Sequence, residues 1–225
     1  MAQPSLSTDR LVERLAAEVK PVRRLLDPTQ RAALWTAVAL VCVLLGVLHF
    51  GLRRDIASAW QNLGFLLRVA LLITTMWLAV VTSFKLSVPG RAEGAWTRWW
   101  PIVALGALMA IAAAELVAGA MFGQAGSPLR AWTCVRKVAF VGAVPAAMVL
   151  VLISRAAALE PRWTALLGVL AAGAAGALTS ELACPIGAPM HIFLWHVMPV
   201  AVSAGLGAIA GSVLLASLRR ALRRR

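Results

Sequence analysis

The sequence is poor in the residues that build soluble enzymes. It has no tyrosine, three cysteines and only nine acidic residues among 225. Charged residues make up 14% of the chain and apolar residues 61%, whereas soluble domains average roughly 25% and 45–50%. Three cysteines cannot define a disulfide framework. The scarcity of charge excludes an ordinary water-soluble domain, so we expect a membrane protein.

Motifs that mark common catalytic sites are also missing from the sequence. The chain has no glycine-rich phosphate loop, no HExxH pair and no GxSxG motif, and its carboxylates are scattered. We therefore expect no enzymatic activity. The net charge of +13 is compatible with nucleic acid as a partner. However, arginines beside apolar runs more often record membrane orientation, so we expect no direct nucleic-acid binding.

Six apolar runs are each close to the ~20 residues that cross a bilayer. They lie at approximately 32–52, 64–84, 101–122, 138–154, 164–182 and 190–216. A bilayer offers no water to unpaired backbone groups, and the runs lack the alternation of a membrane β-barrel. The predicted fold class is therefore all-α, a polytopic six-helix bundle at 32–216 between tails at 1–31 and 217–225. Because the first run starts late and no cleavage pattern follows it, residues 1–31 are not expected to be a signal peptide.

Lysine and arginine predict the orientation of the chain. Sixteen of them lie in the two tails and the loops on the same side, against five in the loops on the other side. Because basic residues concentrate on the cytoplasmic side, both termini are predicted to be cytoplasmic. The basic tail at 217–225 is expected to lie against anionic headgroups.

Small residues recur at every fourth position in three of the runs. These ridges start at Gly106 in the third run, Gly168 in the fifth and Ser203 in the sixth. Small ridges allow helix backbones to approach closely, so these three runs are predicted to pack together. Pro145 and Pro199 lie inside the fourth and sixth runs and are expected to bend them.

The segment before the first run has an amphipathic pattern. Thr8 and its neighbours are typical of a helix start, and the helix is predicted to continue to about Lys20, where Pro21 breaks it. One face of this helix is apolar. A segment this short cannot bury such a face internally, so it lies on the membrane, folds against cytoplasmic loops or docks on another protein. The apolar residues are Leu11, Leu15 and Val19, followed after the proline by Val22 and Leu25.

Two cysteines fall on the side opposite the tails. Cys134 is predicted in the loop between the third and fourth runs, and Cys184 in the loop between the fifth and sixth. In an oxidising compartment such thiols can pair or react with metals and oxidants. The alternative is two unrelated loop thiols. Cys42, in the middle of the first run, is predicted to be a small core residue.

Further metal-ligand types lie near Cys184, namely Glu181, His191 and His196. The two histidines are five residues apart, about 140° around an α-helix, so they do not form a chelating i, i+4 pair. We expect His191 to face Cys184 and His196 to point into the bundle. For each histidine taken alone, a structural role in hydrogen bonding is favoured over metal binding. Because neither cysteine belongs to a CxxC pair, the sequence contains no closed zinc motif.

Three ionisable residues, Arg68, Glu115 and Glu181, lie within or beside the apolar runs. Charged groups are costly there, so pairing or function is expected. All three lie toward the ends that carry the cysteines, which predicts a pair between Arg68 and a carboxylate. Snorkelling to the interface is the alternative. A polar cavity built from these residues and His191 would instead suit a small transporter or a metal-handling protein.

Short sequence motifs near both ends of the chain occur together in a combination that is typical of one protein family. They are LVERL at 11–15, KPVRRL at 20–25, Cys184-Pro185, Pro189-Met190-His191 and Trp195-His196, with six apolar runs and a cysteine after the third. Together they resemble the NrsF family of membrane anti-sigma factors. The resemblance implies that the tail binds an extracytoplasmic-function sigma factor at the bacterial inner membrane and keeps it from RNA polymerase.

The resemblance also implies that Cys134 and Cys184 sense metal or oxidative stress. No cofactor is required by this interpretation, although heavy metals would bind transiently at the two thiols. Apolar tail residues would bury surface in the sigma factor while the arginines pair with its acids. The implied sigma-binding residues are Leu11, Leu15, Val19, Pro21, Val22, Arg23, Arg24 and Leu25.

Overall fold

The protein folds as a bundle of long apolar helices. A computed structural model describes residues 8–18, 25–90, 94, 96–124, 126, 132–156 and 158–223. The regular structure of these residues is entirely helical, which confirms the all-α fold class. The helices are α1 (Thr8–Glu18), α2 (Pro28–Phe50), α3 (Ile56–Ala59), α4 (Leu63–Leu86), α5 (Trp100–Met121), α6 (Trp132–Ser154), α7 (Pro161–Ala183), α8 (Pro189–Ile192) and α9 (Met198–Arg223).

Six segments are long and apolar enough to cross a membrane, as the sequence predicts. Four are single helices, α2, α4, α6 and α7, and the third span, Thr97–Met121, joins a 3-10 turn at Thr97–Trp99 to α5. The sixth joins α8 to α9 through a π-helical turn at Phe193–Val197 and spans Pro189–Leu218. The protein is therefore a multi-pass membrane protein.

The fourth span begins earlier than its hydropathy predicts, so the placement of Cys134 in a loop is wrong. Helix α6 starts at Trp132 and carries Cys134 in its first turn. Charged residues at 136 and 137 lower the hydropathy here without preventing helix formation. Lys137 Nζ donates a hydrogen bond to the carbonyl oxygen of Ala183 at 3.1 Å and lies 5.4 Å from the ring centroid of Phe50.

Helix α7 is the centre of the bundle and packs against α2, α4, α6 and α9. Its small residues allow this close packing. A Cβ at Gly176 would overlap the backbone of Val138 in α6. One at Gly211 in α9 would overlap Ala165 in α7. The fifth and sixth spans therefore pack together, as predicted, and the ridge of α9 lies at this contact. The ridge of α7 does not, because Gly168 and Gly176 lie against α6.

The small ridge of the third span does not take part in this packing, so that part of the prediction is wrong. Gly106 and the small residues that follow it at every fourth position are exposed, and a Cβ at Gly106 would meet nothing within 4 Å. Helix α5 instead buries Ala104, Leu108 and Ala112. The larger leucine fills the interhelical space, which leaves the ridge on the outward face.

Helix α2 is tied to its neighbours near its first turn. Asp27 caps it by accepting a hydrogen bond from the Thr29 backbone N–H at 3.1 Å. The buried Arg31 donates hydrogen bonds to Ser87 Oγ at the end of α4 and to the carbonyl oxygen of Leu152 near the end of α6. The helix that follows the N-terminal tail is therefore fixed to α4 and α6.

A second polar contact joins α2 to α6 deeper in the bundle. Trp35 is fully buried, and its Nε1–H donates to the carbonyl oxygen of Pro145 at 2.8 Å. Pro145 lies inside α6. Because a buried indole N–H without a partner is costly, this contact fixes the two helices at the proline.

Candidate functional site

Two thiols and two imidazoles meet at one end of the bundle. Cys134 comes from the first turn of α6, and Cys184 directly follows the last residue of α7. His191 belongs to α8, and His196 to the π-helical turn. All four are buried, and their ligand atoms lie within 4.8 Å of one another. We refer to these four residues as the Cys–His cluster.

Three members of the cluster are in direct contact. The sulfur atoms of Cys134 and Cys184 are 3.5 Å apart. His191 Nε2 lies 3.4 Å from Cys134 Sγ and 3.5 Å from Cys184 Sγ. The hydrogen bond donated by Cys134 lowers the pKa of the Cys184 thiol below its ordinary value, since it favours the thiolate. Both thiols are uncrosslinked and can bind a metal or form a disulfide.

His196 joins the cluster, although the sequence predicts that it points elsewhere. That prediction assumes an α-helix, in which His191 and His196 face different directions. Residues Phe193–Val197 form a π-helical turn instead, with i→i+5 hydrogen bonding that brings residues five apart onto one face. The two imidazole centroids are 5.3 Å apart as a result. The four side chains come from separate elements, so no CxxC pair is needed to bring them together.

A chain of charged groups extends from the cluster into the bundle. His196 Nδ1 is 3.0 Å from Glu181 Oε1, and Arg68 Nε is 3.4 Å from the same oxygen. Arg68 also pairs with Glu115. The structure therefore brings Arg68 against both carboxylates, and links α4, α5 and α7 to the π-helical turn.

A polar cavity of about 590 Å³ lies beside this chain. Arg68 and Glu115 line it together with Arg53, Asp55 and other residues of the segment between α2 and α4. Arg53 forms an ion pair with Asp55 at 2.7 Å and lowers the pKa of that carboxyl. Its backbone N–H also donates to the carbonyl oxygen of Leu182 at 3.0 Å.

Sequence reasoning missed the roles of Arg53, Asp55 and Lys137. The backbone N–H of Arg53 and the side-chain ammonium group of Lys137 donate hydrogen bonds to the carbonyl oxygens of Leu182 and Ala183. Leu182 and Ala183 end α7, directly before Cys184. In the sequence Arg53 and Lys137 count only as basic residues beside apolar runs, and nothing in their spacing points to α7. A helix end that leaves carbonyls unpaired requires donors, but which donors reach it depends on the packing.

The N-terminal residues lie in a different environment. Val12 and Leu15 in α1 are 59% and 57% exposed, and Leu25 is 48% exposed. These apolar side chains are not covered by the rest of the chain. The side chain of Leu11 lies outside the described residues, as do Val19, Pro21, Val22, Arg23 and Arg24.

Comparison with known proteins assigns the chain to a family. The model of the NrsF family, described as negative regulator of sigma F, matches residues 15–216. This match covers most of the chain and confirms the resemblance noted from the sequence. No curated protein and no solved structure matches. The chain therefore belongs to the NrsF family of negative regulators of a sigma factor.

Proposed function

We propose that the protein is an inner-membrane anti-sigma factor that holds an extracytoplasmic-function sigma factor through its cytoplasmic N-terminal helix. Release follows when the thiols of Cys134 and Cys184 react with a metal or an oxidant on the opposite side of the membrane. The observation that carries this proposal is the family match over residues 15–216, which includes the end of α1 and the whole Cys–His cluster.

The exposed apolar face of α1 supports binding of a protein partner. Burying a leucine or valine side chain contributes about 1.5–3 kcal/mol. Val12 and Leu15 are both available for this contribution. Attachment to the membrane surface is the alternative, because Arg10 and Arg14 flank the apolar face. Membership of a family that regulates a sigma factor favours docking of α1 into a groove on a protein partner over attachment to the membrane surface.

The positions of the two cysteines support a role in sensing. Their sulfur atoms are near enough for one ion, or one disulfide bond, to join α6 to the end of α7. Helix α6 also contacts α2 through the carbonyl oxygen of Leu152, close to the tail. A signal acts by stabilising one state over another, and about 2.8 kcal/mol changes sigma affinity a hundredfold. A movement of α6 relative to α7 that changes the free energy of sigma binding by this amount is therefore sufficient for release.

A small transporter or metal-handling protein is the second candidate function. The polar cavity beside Arg68 and Glu115 favours it, since ionisable groups within spans often mark a substrate path. Arg68 is already paired with two carboxylates, so its positive charge is not available to bind an anionic substrate. A transporter also gives no role to the exposed apolar face of α1.

Co-purification of the full-length protein with the sigma factors of its host tests the proposal. We expect one sigma factor to be captured, and Leu15→Glu to weaken that capture at least about tenfold, because it replaces a buried apolar contact with a charge. Ala17→Glu is the matched control. It adds the same charge about 160° around the helix from Leu15 and leaves the apolar face intact.

Two outcomes of the capture experiment would contradict this function. In one, no sigma factor is retained by the unmodified protein. In the other, Leu15→Glu and Ala17→Glu retain the sigma factor equally well, which would exclude the apolar face of α1 as the binding surface.

A further inference from the structure

We propose that the Cys–His cluster is a closed, four-coordinate site for a thiophilic divalent cation of the zinc and cadmium class. In this site Glu181 orients His196 and does not bind the ion. The inference deepens the proposed function by choosing metal over oxidant as the signal, and it rests on that function only for the ion's biological role.

The contacts between three cluster atoms match one face of a coordination tetrahedron. With metal–sulfur bonds of about 2.3 Å and metal–nitrogen bonds of about 2.05 Å, tetrahedral geometry places two sulfurs roughly 3.8 Å apart and a sulfur and a nitrogen roughly 3.6 Å apart. The observed Cys134 to Cys184 separation is 3.5 Å. The two distances from the sulfurs to His191 Nε2 are 3.4 and 3.5 Å. These three donors are therefore already spaced for one ion.

His196 supplies the fourth donor. The residue is 2% exposed, and its Nε2 has no hydrogen-bond partner in the described part of the chain. Buried polar atoms without partners are rare in native proteins and need an explanation. A metal ion bonded to Nε2 satisfies this atom. The longest separation within the cluster, 4.8 Å, involves His196 and closes by roughly 1.2–1.5 Å to reach a tetrahedral edge.

Glu181 is placed to orient His196. Its Oε1 lies 3.0 Å from His196 Nδ1, the nitrogen that faces away from the cluster. Metal-binding histidines almost always bond a carboxylate or carbonyl through their second nitrogen, which fixes the ring and its tautomer. Arg68 holds the same carboxylate at 3.4 Å and is itself paired with Glu115. No oxygen of Glu181 belongs to the group of ligand atoms that lie within 4.8 Å of one another, so Glu181 orients His196 and does not bind the ion.

The charge and chemistry of the donors select the class of ion. Two thiolates balance a charge of +2, and two neutral imidazoles add no charge. A divalent ion therefore leaves the buried cluster neutral, whereas a monovalent ion leaves a surplus negative charge. Thiolate and imidazole donors prefer soft or borderline metals over magnesium or calcium. A disulfide would use only two of the four residues and would leave His196 Nε2 unsatisfied.

Metal titration of the reduced, full-length protein in detergent tests this site. Cobalt(II) is the spectroscopic probe, because its visible absorption reports tetrahedral geometry and its near-ultraviolet charge-transfer band reports bound thiolate. Zinc competition then gives the affinity. We expect one ion per chain, with both spectral features, and the same result for the control variants Cys42→Ala and His49→Ala, whose side chains lie outside the cluster.

Variants of the cluster separate ligands from positioning residues. His196→Ala is expected to weaken zinc binding at least about 100-fold, and Glu181→Gln about 10- to 100-fold. In Glu181→Gln the thiolate band should persist at saturating cobalt, because both sulfurs still bind. Thermal melting of each ion-free variant reports whether it folds, so a loss of binding by a folded variant is attributed to the site.

Three results would overturn this inference. In the first, zinc binding depends on Cys134 and Cys184 but is unchanged in His196→Ala, which indicates a two-thiolate site. In the second, Glu181→Gln binds like the unmodified protein. In the third, the reduced protein binds no ion and oxidants form a disulfide readily. Loss of sigma capture with intact zinc binding would instead refute the proposed function and leave the metal site standing.

Discussion

Replacing both Cys134 and Cys184 by serine is expected to leave the sigma factor bound while abolishing its release under metal or oxidant stress. Serine is close to cysteine in size, so the packing around α6 and α7 should be retained. Its hydroxyl is a poor ligand for soft metals and cannot form a disulfide. Transcription from a promoter dependent on the captured sigma factor measures the effect, and we expect induction to fall to the uninduced level.

The matched control for this experiment is Cys42→Ser. Cys42 lies in α2, away from the cluster, and its replacement should leave induction unchanged. Normal induction in the double variant would remove the two cysteines from the sensor. High expression without stress would show that the thiols maintain the holding state, which also contradicts the proposed role.

Gly176→Val is expected to destabilise the bundle by about 3 kcal/mol or more and to separate the cluster cysteines. A Cβ at this position overlaps backbone atoms of Val138 in α6, which cannot rotate away as a side chain can. Overpacking a core costs about 1–3 kcal/mol and occasionally more. Val138 lies one turn after Cys134, so displacement of α6 moves that sulfur away from Cys184. Thermal unfolding in detergent and the yield of an oxidant-induced Cys134–Cys184 crosslink measure the two effects.

Gly106→Val provides the control for Gly176→Val. It makes the same substitution in a spanning helix, but the added Cβ meets nothing within 4 Å. We expect its melting temperature and crosslinking yield to stay close to those of the unmodified protein. Equal behaviour of the two variants would show that the close approach of α6 and α7 does not control the cluster.

Hydropathy alone was sufficient to predict the number and type of the spans. This success has a physical cause, because every backbone group inside a bilayer must be paired within its own helix. Ends of the spans were less predictable. Helix α6 starts at Trp132, ahead of its apolar run, since Lys137 finds a carbonyl partner at the end of α7. A hydropathy profile contains no information about such a contact between helices.

The cluster itself was predictable only in part. The cysteines and histidines stood out because such residues are few in this chain, and Arg68, Glu115 and Glu181 because charge is rare in apolar runs. Their assembly depends on the π-helical turn, which reverses the conclusion drawn from α-helical spacing for His191 and His196. Small-residue spacing likewise did not reveal which face of α5 is buried.

The central claim of this account is that the α1 tail and the cluster lie on opposite sides of the membrane. Site-specific labelling tests it in a variant whose native cysteines are all replaced by serine. Ile186→Cys, beside the cluster, and Leu25→Cys, in the tail, each introduce one thiol at a position that is 41% or 48% exposed. A membrane-impermeant maleimide applied to intact spheroplasts should label Ile186→Cys, and should label Leu25→Cys only after permeabilisation. Labelling of both positions from the same side would contradict the account.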